Sequence, residues 1–275
     1  MQPAKVVVSV EGQTLSHGFY IEPTVVTVDE FIQYWQQNGV TVTPEDITAG
    51  GMIDYALYTN GFTRDGQSQG SVTGPGYLGG IDGIRQGKGD AIVPACLADD
   101  GVTIDAQVAG DDLYQAAYTA ASGWMFTEGN WLSDQSMASH KLSVYGTPYT
   151  AQDGQLYYVI RLQYTIAGLG ADLGFTEWGT DYGYTAADKG QLYILYANLT
   201  KSGFFDANPG AQAQALEVMN ALDATQEQVD AAYEALLQAS QAAAPNITAD
   251  LPSNPQHYQT AGAEAAPLTV EASVP

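Results

Sequence analysis

Aromatic side chains carry the clearest chemistry in this sequence: Tyr77, Trp124, Trp131, Trp178, Tyr182 and Tyr184. Flat rings bind sugars or macrocycles by burying apolar area on their faces while their polar edges hydrogen-bond. Trp131 and Trp178 stand among Gly, Asn, Ser and Thr, a setting that predicts exposure. Trp124, within Gly123-Trp124-Met125, adjoins the strongest strand signal in the chain and is expected to pack in the core. Together these six are the expected ligand-binding residues.

Residues for other chemistries are present but badly spaced. His17, His140 and His257 are too scattered for a metal-ligand pattern, and Cys96 is the only cysteine, so there is neither a disulfide framework nor a CxxC pair. Gly74-Pro75-Gly76-Tyr77-Leu78-Gly79 fits GxGxxG, but no strand precedes it and Gly-rich sequence follows, so the helix N-terminus that would hold a pyrophosphate is missing. No Gly-x-Ser-x-Gly elbow pairs with a plausible base. Asp206, Asn208 and Glu217 have part of an EF-hand spacing, yet Ala211 stands where that loop needs Gly, and helix capping explains Asp206 and Asn208 more simply. A glycosidase carboxylate pair is defined by spatial separation, so the many acids discriminate nothing. The chain reads as non-catalytic, with no cofactor and no metal expected.

The elements that must position the rings centre on Ser122 to Gly174. Gln155 to Ile166 is dense in aromatic and β-branched residues and follows Asp153-Gly154, which supplies a tight turn, so it predicts a central strand closed by the turn Gly170 to Gly174. Upstream, Lys5 to Val10 and Tyr20 to Val28 predict strands. Thr27 and Glu30 then form a capping box that starts a helix ending at Asn38-Gly39. Thr43-Pro44-Glu45-Asp46 predicts a further short helix. Gly61 to Gly89 reads as a long loop, 91–97 and 102–108 as strands, and 111–121 as a short helix. Helices take over after Tyr184. Thr185 and Asp188 predict a capping box before Leu192, Leu195, Tyr196 and Leu199; Asn208-Pro209 and Thr225-Gln226-Glu227-Gln228 open two more helices, which should pair as an antiparallel hairpin.

Charge narrows the partners. The 275 residues carry 31 acidic and 8 basic side chains, a net charge of -23, so nucleic acid and anionic membranes would be repelled. No apolar run reaches membrane-spanning length, so no membrane insertion is expected. The start Met1-Gln2-Pro3-Ala4 lacks both a basic and an apolar signal region, which suits a cytoplasmic protein or a mature segment re-started with methionine.

Val6 to Glu11, Gly18 to Pro23 and the helix from Asp29 resemble the N-terminal half of bacterial surface proteins that carry a transcobalamin-like C-terminal domain. Tyr77 to Ile81 with Ile92-Val93-Pro94, and Ser122 to Phe126 with Ile160 to Thr165 and Gly168 to Gly174, resemble later blocks of the same proteins. Asp223 to Tyr233 is similar to the FIVAR-type helical module that often follows. The resemblance implies an α+β fold: a β-grasp-like, transcobalamin-like domain over 1–184, in one domain or two lobes, a helical segment over 185–244, and a linker or tail over 245–275. It also implies a secreted or wall-associated Gram-positive protein without catalytic residues, binding a glycan, a wall polymer or a small molecule. The alternative is a corrinoid (cobalamin) carrier; no well-placed His serves it as an axial ligand, His17 and His140 being the candidates, and a covering domain need not supply one. Thr127 to Asp134 departs from the family's hairpin tip.

Overall fold

The computed structural model describes residues 5–15, 17–64, 78, 80–82, 122–129, 131–132, 140–166, 168–175 and 185–243. Strand β1 (Lys5–Glu11) carries Val6, Val8 and Val10 on one face and Val7, Ser9 and Glu11 on the other, all buried. A strand buried on both faces belongs in the middle of a sheet covered on both sides. It turns through Gly12 to Gly18 into β2 (Phe19–Val26), and the Thr14 hydroxyl fastens that turn to the Tyr164 carbonyl at 2.8 Å. Helix α1 (Val28–Gln37) starts at the expected capping box, with Thr27 Oγ1 accepting from Glu30 N and the Glu30 carboxylate accepting from Thr27 N, and it stops at Asn38-Gly39.

The signal at Thr43 yields one 3-10 turn, Pro44–Asp46, and a longer helix, α2 (Ala49–Thr59), follows from a second cap at Thr48. Its opening Ala49-Gly50-Gly51 is too poor in helix preference to announce it. Burial supplies what propensity lacks: Ala49 to Asp54, Ala56 and Leu57 are all buried. Within the expected long loop, β3 (Thr63–Arg64) pairs with β4 (Ile81–Asp82), and Leu78 and Ile81 are anchored in the core. The expected strands at 91–97 and 102–108 and the helix at 111–121 lie outside the described residues.

Strand β5 (Gly123–Glu128) pairs with β6 (Trp131–Leu132); a four-residue helix, α3 (Leu142–Tyr145), precedes β7 (Tyr149–Thr150). The expected central strand is β8 (Leu156–Thr165), entered through Gly154 at φ 71. The sheet is mixed, in the order β2-β1-β8-β5-β6, with β7 also on β8; β1 and β8 run parallel and the other pairs antiparallel. After β8 the chain coils through a 3-10 segment, Gly168–Leu173, where Asp172 accepts from Ile166 N at 2.7 Å and from the Thr165 hydroxyl.

The last described residues form four helices: α4 (Gly190–Lys201), α5 (Phe204–Ala207), α6 (Pro209–Asn220) and α7 (Gln226–Ala243). The expected box at Thr185 and Asp188 is not made. Asp188 instead accepts from Gly190 N and from the Tyr149 hydroxyl, both at 2.9 Å, and this carries the start of α4 on to Gly190. Helices α6 and α7 pair as expected, with Thr225 and Gln228 capping reciprocally at 2.8 and 3.3 Å.

The hairpin does not stand off the sheet. With α4 it forms a layer whose Tyr193, Met219, Val229, Tyr233 and Leu236 share one core with Val7, Val25, Tyr157 and Val159 of the strands. On the opposite face α1 and α2 pack Phe31, Trp35, Met52 and Leu57 against Val6, Val8, Ile160 and Leu162. The fold is α+β in three layers, helices on both faces of one mixed sheet.

Candidate functional site

A polar cluster buried under the helical layer fixes where α4 sits. Glu11 and Arg161, neighbours across the parallel pair β1/β8, form a two-pronged ion pair at 2.9 and 2.7 Å, and the Ser9 hydroxyl donates to the same carboxylate at 2.6 Å. Both charges are closed off from water. Burial alone would raise the Glu11 carboxyl, but the guanidinium's charge and hydrogen bonds, with Ser9, hold it below its ordinary 4.5. Arg161 also lies over the Tyr193 ring, 4.8 Å from its centroid, so the pair clamps the first half of α4 to the sheet.

Lys189, just before α4, donates to the carbonyls of Met219 and Ala221 at 3.0 and 2.6 Å, satisfying acceptors at the end of α6. Burial first, and Arg161 second, lower its ammonium from 10.5 to about 7, against the opposite pull of Glu11 and Asp223. Between those two values the unfolded chain binds the extra proton, so this group makes stability rise as pH climbs from about 7 toward 10.5. Urea unfolding at about pH 7 and about pH 9 should show that rise in the parent protein and lose it in Lys189→Met.

One side of α4, from Gln191 to Asn198, opens onto a cleft of about 220 Å³ between the β7–β8 turn, α4 and α7. Ala151, Ile194 and Leu195 give it apolar walls; Gln152, Asp153, Gln191 and Asn198 bring amides and a carboxylate, with Tyr157 and Tyr233 beneath. The Tyr157 hydroxyl donates to Asp153 Oδ2 or Asn198 Oδ1 and accepts from Lys5 Nζ, each at 3.2 Å. Gln152 Nε2 donates to the Tyr233 hydroxyl, and Gln191 Nε2 to the Thr150 carbonyl at 3.1 Å. Burial raises both phenols, so each keeps its proton through neutral pH and can donate. Both rings are closed to solvent, 0% exposed for Tyr157 and 5% for Tyr233, so a ligand would meet the polar rim and the apolar walls rather than a ring face.

Of the expected ring set only Trp124 has a described side chain, and it does not line this cleft. Trp124 is buried, packed edge-on against Tyr164 at 5.3 Å, which removes it from any binding surface and fits the core role its setting predicts. Trp131 opens β6, but its side chain lies outside the described residues, as do Tyr77, Trp178, Tyr182 and Tyr184. His140 is buried, 2.8 Å from Glu128 and edge-on to Phe126, and His17 contacts the Tyr20 hydroxyl. Neither lines the cleft. Among the described residues no group of three His, Cys, Asp or Glu is placed to hold a metal ion. No described helix is long and apolar enough to cross a membrane.

Sequence reasoning read Tyr157 only as a strand residue and Tyr233 only as a helix-face residue. One signal was available: Asn198 interrupts the otherwise apolar Leu195-Tyr196-Ala197-Asn198-Leu199. No protein-family model, no curated protein and no solved structure matches the chain.

Proposed function

We propose that this chain is a secreted or cell-surface binding module, without catalysis, that takes a saccharide in the cleft of Gln152, Asp153, Gln191 and Asn198. One observation carries the reading. Planar amide and carboxylate groups converge there beside the apolar patch of Ala151, Ile194 and Leu195, which is the mixture a sugar ring requires for its hydroxyls and its CH faces. Excess acid and scarcity of bases suit a neutral ligand better than a phosphate or an anionic lipid.

The sheet supports a finer fold within the α+β class. A hairpin, a helix crossing one face, and a late strand returning parallel to the first and beside it is the arrangement of a β-grasp, and β2-β1-β8-β5 with its parallel central pair follows it. The capped pair α6–α7 supports a FIVAR-like helical segment in the same way. At about 220 Å³ the cleft is smaller than the roughly 300–1,000 Å³ of sites that enclose drug-sized ligands, which favours a single sugar unit over a corrinoid.

Binding of the parent protein and of Gln152→Ala and Gln191→Ala to a glycan array tests this. Each substitution should weaken the parent's strongest signals by about tenfold, the loss of roughly 1.4 kcal/mol, with the melting temperature unchanged. A parent protein that binds no glycan, or variants that bind as well as the parent, would overturn the reading.

A further inference from the structure

Strand β2 is the last in its sheet; its inner side pairs with β1, and among the described residues no strand pairs with its outer side. Its first half is unsuited to accept one. The register slips between the partners of Val8 and Val10, and Pro23 has no N–H to offer. Thr24 is exposed while Val25 and Val26 are covered, none of the three is proline, and a groove of about 290 Å³ runs beside them, walled by Tyr55 and Thr59 of α2 and by Ala197 and Thr200 of α4.

An ion pair lies across this groove. Lys201 of α4 meets Glu30 of α1 at 2.8 Å, and because those helices cover opposite faces of the sheet, the pair reaches around the edge of β2. Its side chains are 47% and 43% exposed, so solvent screens it and it holds weakly. Such a pair shields an unpaired edge from casual pairing, yet yields to a partner that brings its own cation to Glu30. Glu30 and Lys201 line the groove, Glu22 lies on the strand and Asp29 just after it, in a chain of net charge -23.

We propose that the outer edge of β2 at Thr24–Val26 is an addition site for an extended, basic peptide. Main-chain hydrogen bonds to the strand supply the affinity, and a basic side chain displacing Lys201 from Glu30 supplies the selectivity. The site is separate from the saccharide cleft and does not depend on it. A second copy of this chain is the wrong occupant, since two surfaces so acidic repel each other.

Fluorescence anisotropy with a labelled peptide of alternating Val and Lys, and with its backbone N-methylated twin, tests the assignment. Expected are saturable binding of the first peptide, at least about tenfold weaker binding of the twin, and about threefold tighter binding to Lys201→Ala, whose exposed pair contributes little to folding. Thr59→Arg, which crowds the groove and adds like charge, should abolish binding, and Gln191→Ala should leave it unchanged. Absence of binding, equal binding of the N-methylated twin, or dimerisation of Lys201→Ala in light scattering would each overturn it.

Discussion

Replacing Arg161 by Met is expected to cost about 3–5 kcal/mol of folding stability, the largest effect of any single substitution considered. The substitution leaves the Glu11 carboxylate buried without its guanidinium partner, the Ser9 hydroxyl still donating to it, and removes the cation that lies over Tyr193. The cost belongs to the orphaned charge and not to the pair itself. Replacing both residues, as Glu11→Leu with Arg161→Met, should therefore recover most of the loss, because well-packed apolar side chains in place of a buried pair are often neutral or stabilising. Urea midpoints of the parent, the two single variants and the double variant decide the matter. If the double variant is no more stable than Arg161→Met alone, the pair holds α4 by more than charge compensation. The pH dependence agrees in sign: the lowered Glu11 carboxyl contributes stability above about 4.5, and that contribution is lost as pH falls through its folded value.

The second large effect is expected at Gly190. A Cβ there would come within 2.3 Å of the Tyr149 ring. Tyr149 cannot swing clear, because its hydroxyl donates to Asp188 and a Cβ on Gly129, its neighbour on another side, would meet that hydroxyl at 1.9 Å. Overpacking of this kind costs about 1–3 kcal/mol, and displacing the phenol adds the loss of the Asp188 bond, about 0.5–1.5 kcal/mol. Gly190→Ala should lower the melting temperature clearly, and the same substitution in a Tyr149→Leu background should cost far less. Equal penalties in both backgrounds would show that helix-start geometry, not the ring, demands glycine there.

The parts of the fold that could be read from sequence are those whose local signals agree with their surroundings. Thr27 and Glu30 cap α1, Gly154 turns the chain into β8, and Val229, Tyr233 and Leu236 face the core, because in each case the short-range preference and the tertiary packing want the same conformation. Helix α2 was hidden by Gly50 and Gly51, which are buried in it yet deprive it of local preference. Asp188 misled for the opposite reason: its spacing from Thr185 is that of a capping box, but Tyr149, far away in sequence, claims its carboxylate. The cleft escaped notice because its residues come from a turn, a strand and two helices, none carrying a motif. The parallel pairing of β1 with β8, which sets Glu11 beside Arg161, joins the two ends of the sheet domain and has no local signature at all.

The central claim is that the cleft, and not some other surface, holds the sugar. The most direct measurement records the side-chain amide resonances of Gln152, Gln191 and Asn198 by ¹⁵N NMR while N-acetylglucosamine, galactose or mannose is raised to millimolar concentration. Saturable shifts of these amides with at least one of the sugars, absent from the buried amide of Gln163, are the predicted result. Amides that stay still at every concentration, or shifts confined to residues away from the β7–β8 turn and α4, would contradict it.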